Sequence, residues 1–302
     1  QHAFAQGALG MVHALQVEGV EDGLGDGQAG GEDLPAVGLD AVDLQLVCLA
    51  QLEHLALEPG QALGVDLAVA QAAGLDRQAH GTDGPGGADR FLPAQAVQAL
   101  PGFAEGVVSV QDGAAQLAAP LLLQGLDLHQ PLQVLDACAA PGGKTAHLLE
   151  FAGAASPLQV TALEVDAERS ARIHDTLQRT GLQDHAKVLV ADAGQPAQWW
   201  QQANGGQLFD AILLDAPCTA SGIVRRHPDV RWLRRDSDVA QLAAIQAQIL
   251  DALWPLLQAG GRLLYCTCSV FKAEGDAQIQ AFLARNSQAQ LLASPGHLIP
   301  GI

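Results

Sequence analysis

The sequence predicts an α/β fold built on a mainly parallel, doubly wound sheet, and three observations predict it. From about residue 91 onward, apolar segments of strand length alternate with segments of helix length. Gly, Pro and capping residues punctuate most of the changes. The side chains with chemical potential stand at the C-terminal ends of the strands, where such sheets bind ligands.

Taken in order, "QVLDACAAPGGKTAHLLEFAG" reads as a buried strand, a Gly/Pro turn and a helix. "LQVTALEVDAERSARIHDTLQRTG" is a second strand ending in acids, then an amphipathic helix stopped by Gly181. "AKVLVADA" and "FDAILLDAPC" are the third and fourth strands. "DSDVAQLAAIQAQILDALWPLLQAGG" starts on capping residues and is expected to run as one long helix to Gly260 and Gly261. "RLLYCTCSV" is the fifth strand and "KAEGDAQIQAFLARN" the helix after it.

Residues 1–90 do not read this way. They contain no Ser, Ile, Asn, Lys, Tyr or Trp, their one aromatic is Phe4, and 16 of the 33 glycines fall among them. Such a segment builds no dense core of its own. It is read as an anomalous acidic extension, disordered or translated out of frame, with residues 91–302 forming the functional domain.

Charge divides at the same place. The chain carries a net charge of −18, and residues 1–90 hold fourteen acids against Arg77 and Arg90. Of the thirteen basic residues that remain, five crowd into one short stretch: Arg225, Arg226, Arg231, Arg234 and Arg235. An overall acidity that argues against a nucleic-acid partner therefore does not apply to this basic patch. No apolar run reaches membrane-span length, and five unevenly spaced cysteines do not form a disulfide framework, so a reducing cytoplasm is expected.

The turn "CAAPGGKT", Cys138 to Thr145, lets a ligand approach the backbone, and the helix that follows favours an anion at its N-terminus. It is not a phosphate-binding P-loop, since Cys138 stands where the first glycine is needed, and its spacing does not fit G-x-G-x-x-G. Glu164, at the end of the second strand, suits both ribose hydroxyls of an adenosine. Asp192 ends the third strand, within reach of an adenine amino group, and Asp215 ends the fourth. Any one of these acids is more commonly a turn former or helix cap. Suitable groups at four consecutive strand ends point together to an adenosine-type cofactor such as S-adenosylmethionine.

"LDACAAPGGKT", "LLDAPCTASGIVRRHPDVRWLRR" and "YCTCSV", in this order, closely resemble the RNA cytosine-carbon-5 methyltransferases of the Fmu/Sun/NOL type. The "RRHPDVRWLRR" stretch is most similar to the bacterial members that act on 16S ribosomal RNA. The resemblance covers about residues 95–290. It implies a Rossmann-like class I S-adenosylmethionine-dependent methyltransferase sheet and a monomer acting on small-subunit ribosomal RNA before full assembly. It implies cofactor contacts from Cys138, Ala139, Ala140, Pro141, Gly142, Gly143, Lys144, Glu164, Asp192 and Asp215. The chain departs from the family twice. Residues 1–90 do not resemble the family's NusB-like helical RNA-binding domain, and the chain stops at "SPGHLIPGI", so the C-terminal edge strands of the sheet are expected to be truncated.

The chemistry explains the cysteines. Carbon 5 of cytosine is too weak a nucleophile to take a methyl group from a sulfonium until a thiolate adds to carbon 6. Asp215 is the candidate for stabilising the ring as the adduct forms. Chemistry alone permits either Cys218 or Cys268 as nucleophile. The resemblance assigns the nucleophile to Cys268 and product release to Cys218, and leaves Cys266 a packed small residue. Arg225, Arg226, Arg231, Arg234 and Arg235, with Trp232 among them, suit phosphate contacts and base stacking. The plainer reading is a solvated helix start paired to Asp229, Asp236 and Asp238. No metal site is expected, because His147, His174 and His185 lack ligand spacing, and His227 before Pro228 mainly shapes a turn. Two alternatives stand beside this: a related enzyme acting on tRNA or another ribosomal RNA site, and an inactive fused or truncated product that only binds RNA.

Overall fold

The computed structural model describes residues 10–17, 45–48, 96–112, 114–224 and 227–298. Ten strands lie among them: β1 (Gly10–Val17), β2 (Gln45–Cys48), β3 (Val108–Gln111), β4 (Gln133–Asp136), β5 (Gln159–Glu164), β6 (Ala186–Val190), β7 (Phe209–Asp215), β8 (Leu257–Thr267), β9 (Ala289–Leu291) and β10 (Gly296–Leu298). The helices are α1 (Ala118–Leu123), α2 (Gly143–Ala152), α3 (Ala167–Thr180), α4 (Trp200–Asn204), α5 (Val230–Leu233), α6 (Asp236–Leu253) and α7 (Asp276–Arg285). The main sheet runs β10-β1-β8-β7-β4-β5-β6, with β9 also paired to β1, while β2 and β3 form a separate antiparallel pair.

The five strands read from the sequence are the parallel part, β8-β7-β4-β5-β6. The chain winds outward from β4 through β5 to β6, then returns to the other side of β4 for β7 and β8. The switch point therefore falls between β4 and β7, and a crevice for ligands opens beyond their C-terminal ends. Helices cover both faces. Leu122, Leu148, Leu149, Ile173 and Leu177 pack against Val134, Ala162, Ala211 and Leu213 on one side. Trp199, Ile249, Leu250, Leu253, Ile279 and Phe282 pack against Leu135, Ile212, Leu214 and Tyr265 on the other. This two-sided burial is why the central strands read as continuous apolar runs.

Local signals set the helix limits. Asp166 caps α3 by accepting from the N–H groups of Glu168 and Arg169, and Gly181 closes it with φ of 71°. The α6 helix ends at Leu253, short of the expected Gly260. Pro255 has no N–H to continue the ladder, the chain passes through a single 3-10 turn at Trp254–Leu256, and β8 already begins at Leu257.

Two expectations are corrected at the sheet's edge. Residues 10–17, inside the segment expected to be disordered or translated out of frame, form β1 and pair antiparallel with β8, with Val12 opposite Cys266 and Leu15 opposite Leu263. Val12, Ala14 and Leu15 are all buried. Composition shows that a segment cannot build a core alone, but β1 uses the apolar faces that the sheet already presents. The edge beyond β8, expected to be truncated, is likewise filled, because β1 pairs onward to β10 and β9. Apart from residues 10–17 and 45–48, the expectation for residues 1–90 lies outside the described residues.

Candidate active site

The turn after β4 is anchored at both ends. The Ala139 N–H donates to the Leu163 carbonyl at the end of β5 (2.8 Å), and the Gly142 N–H returns to the Ala139 carbonyl (2.7 Å). Gly142 has φ of +97°, and a Cβ there would stand 3.1 Å from Ile173 Cα and 3.3 Å from both Ile173 Cγ2 and Thr176 Cβ. It is required for the backbone to turn and to pack on α3. Gly143 differs, for nothing lies within 4 Å of the position its Cβ would take. The backbone at the start of α2 is thus open to a ligand on that side.

Lys144 reaches from this turn across the switch point and donates to Asp215 Oδ2 at 2.6 Å. Burial works most strongly against the Lys144 ammonium, but Asp215, Cys266 and Asp136 together outweigh it and the net displacement is upward. The other Asp215 oxygen accepts from the Cys266 thiol at 3.7 Å. Cys266 is therefore the packed small residue expected of it and also a ligand of the Asp215 carboxylate; burial holds its thiol well above the usual range.

Glu164 is buried and accepts from the Asp166 N–H (3.1 Å) and from Arg169 Nη1 (3.3 Å). Asp192 accepts from the Gly194 N–H (2.9 Å) and from Gln195 Nε2 (3.0 Å). Both acids also serve their own turns, and both stand at the ends of adjacent strands, at the same C-terminal end of the sheet as Asp215. Cys138 is half-buried, and desolvation pushes its thiol far up, so it lines the turn as a neutral group. Asp136, fully buried below the turn, accepts from the Thr145 hydroxyl at 2.7 Å while its Oδ1 has no partner, and burial raises its carboxyl to about 7.

The cysteines after β7 and β8 meet. Cys218 Sγ and Cys268 Sγ lie 3.5 Å apart, as two free thiols. The hydrogen bond from Cys218 lowers the Cys268 thiol below its ordinary value against the opposing pull of burial, and the same bond with burial drives Cys218 up. One sulfur is thereby favoured as thiolate and the other as its donor. The two loops are laced together by the backbone. The Ala216 N–H donates to the Cys266 carbonyl (2.9 Å) and the Gly222 N–H to the Cys268 carbonyl (2.8 Å).

The basic tract divides. Arg225 and Arg226 lie outside the described residues. Arg234 Nε donates to the Thr219 carbonyl (2.7 Å), one residue past Cys218, so it buttresses the loop. Arg231 and Arg235 are exposed, and Trp232 is 79% exposed with the Arg231 guanidinium 5.2 Å from its ring centroid. An exposed indole beside a cation is a surface for stacking and phosphate contact. His227 holds a turn, with its N–H on Ile223 and its carbonyl accepting from Val230. His147 is buried and lowered to about 4, chiefly by burial. Among the described residues no cluster of three His, Cys, Asp or Glu side chains could hold a metal ion, and no helix is long and apolar enough to cross a membrane.

Sequence reading missed one group, a buried cluster of Thr219, Ser221, Gln246, Tyr265, Ser269 and Glu274 packed behind the two cysteines. Nothing in "KAEGD" separates Glu274 from an ordinary first-turn acid. The only available signal was that Thr219 and Ser269 each follow a candidate cysteine.

The comparisons with known proteins bear on the same residues. The ribosomal RNA small subunit methyltransferase B of Serratia proteamaculans is 49% identical over 212 residues, covering 70% of this chain and 46% of that protein. The chain thus spans about half the length of the curated relatives it matches. The crystal structure of PH0851 is 34% identical with a TM-score of 0.56, covering 64% of this chain and 41% of that one. The structure of NSun6 from Pyrococcus horikoshii with SFG is 25% identical with a TM-score of 0.54, covering 64% and 46%. The sheet is that of the Rossmann-like class I S-adenosylmethionine-dependent methyltransferases. The family model for 16S rRNA methyltransferase RsmB/F matches residues 123–298, from the end of α1 to β10 and through every element of the site, and the chain belongs to that family.

Proposed function

We propose that the chain transfers a methyl group from S-adenosylmethionine to carbon 5 of a cytosine in 16S ribosomal RNA, through a covalent Cys268 adduct at carbon 6. The observation that carries this reading is the 3.5 Å approach of Cys218 and Cys268, with Cys268 shifted toward the thiolate. A single reactive cysteine has many uses. A thiolate with a second thiol against it, beside a carboxylate at the switch point of this sheet, suits addition followed by elimination.

The residues present fit the cofactor. Glu164 suits the ribose hydroxyls, and the 66% exposed Val165 beside it offers an apolar surface for the adenine. Asp192 would face the adenine amino group, and the open backbone at Gly143 would admit the amino-acid end, with Cys138, Ala139, Ala140, Pro141, Gly142 and Lys144 shaping the turn. The NSun6 relative was solved with SFG, an S-adenosylmethionine analogue, which supports this assignment. When bound, the cofactor supplies an electrophilic methyl group on a sulfonium.

The chain's own residues supply the rest. Cys268 Sγ forms a bond to carbon 6 of the target cytosine, and the ring electron pair moves to carbon 5, which would take the methyl group as its bond to sulfur breaks and a neutral thioether leaves. Asp215, held by Lys144, steadies the polar edge of the ring as the adduct develops. A base reaching the pocket from solvent takes the carbon-5 proton, that electron pair restores the ring double bond as the carbon 6–sulfur bond breaks, and Cys218 is the thiol placed to assist release of the Cys268 thiolate. Arg231, Trp232 and Arg235, with Arg225 and Arg226, would take the RNA backbone and an unstacked base, so that the target can leave its stack.

The test uses small-subunit ribosomal RNA carrying tritium at carbon 5 of cytosine and measures tritium release with S-adenosylmethionine present. Cys268→Ala is expected to abolish release. Cys218→Ala is expected to accumulate a protein–RNA adduct that survives denaturation. Full turnover by Cys268→Ala would overturn the nucleophile assignment, and absence of the adduct in Cys218→Ala would overturn the release role. RNA binding without tritium release by the unaltered chain would support the non-catalytic alternative.

A further inference from the structure

We propose that Glu274 is the positioning residue that holds Cys218 and Cys268 at reacting distance, an inference that rests on the two-cysteine reading above. Glu274 has 0% exposure. Its Oε1 accepts from the Thr219 N–H (2.9 Å) and from Gln246 Nε2 (3.1 Å). Its Oε2 accepts from the Thr219 hydroxyl (2.5 Å) and from the Ser269 hydroxyl (2.5 Å). Thr219 directly follows Cys218 and Ser269 directly follows Cys268, so one carboxylate ties together the two loops that carry the sulfurs.

The surrounding groups make the tie rigid. Gln246 on α6 also donates to the Pro217 carbonyl (2.9 Å), so the residues on both sides of Cys218 are held. The Tyr265 hydroxyl donates to the Glu274 carbonyl (2.8 Å) and lies 3.1 Å from Gln246 Oε1. Ser221 Oγ accepts from the Val270 N–H (2.9 Å) and lies 3.1 Å from Ser269 Oγ, which crosses between the same loops a second time.

The chemistry of the position calls for a carboxylate. The Thr219 N–H and Gln246 Nε2 can only donate, so Oε1 must be an acceptor, and the two hydroxyls on Oε2 donate as well. Only an ionised carboxylate accepts at both oxygens with no donor of its own. A glutamine would keep the shape but place an N–H₂ group against the two hydroxyls, which would have to turn and release their other partners. None of the Glu274 contacts involves the cofactor turn or the Lys144–Asp215 pair, so its effect should separate from cofactor binding. A misplacement of about 1 Å at a reacting centre costs on the order of 100-fold in rate.

The test is Glu274→Gln in the full chain, with two readouts. The first is the pH dependence of Cys268 alkylation by iodoacetamide, measured by peptide mass spectrometry without RNA or cofactor. The second is methyl transfer to ribosomal RNA, separated into kcat and the affinity for S-adenosylmethionine. The alkylation profile is expected to move to higher pH, and kcat to fall roughly 10–100-fold, with cofactor affinity changed less than about threefold. An alkylation profile and kcat both within twofold of the unaltered protein would overturn the proposal. Should Glu274→Gln fail to fold, Thr219→Val and Ser269→Ala each cut one link and should move the profile the same way by less; no movement in either overturns it equally. Because alkylation needs no turnover, failure of the methyltransferase reading would appear as an inactive unaltered chain and leave this measurement intact.

Discussion

Replacing Leu15 with Ala tests whether β1 belongs to the sheet. Leu15 has 0% exposure, pairs opposite Leu263 on β8 and Leu291 on β9, and shares an apolar cluster with Tyr265 and Phe282. Both strand neighbours are fixed by backbone hydrogen bonds, so the site cannot collapse freely onto the void. Leu→Ala at such positions costs about 2–5 kcal/mol, the transfer energy of the lost carbons plus the cavity left behind. A value of about 3 kcal/mol corresponds to a fall of roughly 6–12 °C in Tm for a folded unit of this size. The assay is urea unfolding followed by far-ultraviolet circular dichroism, with Gln16→Ala as control. Gln16 is only half-buried and donates a single hydrogen bond to the Gly260 carbonyl, so its loss should cost no more than about 1 kcal/mol. The Leu15→Ala midpoint should fall with the slope m unchanged. A loss below about 0.5 kcal/mol would show that Leu15 is not a core residue and would remove β1 from the sheet.

Two further predictions concern the cofactor turn. Gly142→Ala should destabilise the protein by about 1–3 kcal/mol, because φ of +97° is strained for any other residue and the new methyl meets α3. Gly143→Ala should stay within about 0.5 kcal/mol in the same denaturation series while weakening S-adenosylmethionine binding; equal destabilisation by both would refute this reading of the turn. Asp136→Asn keeps an oxygen for Thr145 and removes a carboxyl whose folded-state value is raised to about 7. Between about pH 4 and 7 the folded Asp136 holds a proton that the unfolded one has lost, so this residue makes stability fall as pH rises through that window. Relative to the unaltered protein, Asp136→Asn should therefore gain stability with rising pH, by up to ~4 kcal/mol, and level off above pH 7; a difference that stays flat across the window would refute it.

The parallel sheet was legible because its central strands are buried on both faces and its strands are followed by punctuation that only a turn explains. The residues at its strand ends were legible for the same reason: Asp215, Cys218 and Cys268 lie just past apolar runs. The parts that were not legible depend on partners far away in sequence. β1 carries no signal in its own composition, since what stabilises it is the edge of β8. Glu274 resembles any acid near a helix start, and its four donors come from Thr219, Gln246 and Ser269, which no local pattern links. The Arg234 Nε bond to the Thr219 carbonyl was not legible either, because its acceptor lies fifteen residues away on another loop.

The meeting of the two cysteines follows from sheet order. β7 and β8 are parallel neighbours with Asp215 opposite Cys266, so equal steps past that pair advance together. Cys218 comes three residues after Asp215, and Cys268 two residues after Cys266. Three steps against two deliver both sulfurs to within about one residue of the same level above the sheet, next to the carboxylate that Lys144 reaches from across the switch point. Register alone sets the level but not a 3.5 Å approach, because each cysteine already lies on loop backbone, free of the ladder. Closing that last gap requires a contact between the loops themselves, and a carboxylate bonded to the residue after each cysteine provides it. β1 acts on the same geometry from the other side: paired along β8 as far as Thr267, it makes the strand leading to Cys268 an interior one. Cys268 therefore stands at the end of a strand held on both edges, and Cys218 just past the end of that strand's parallel neighbour.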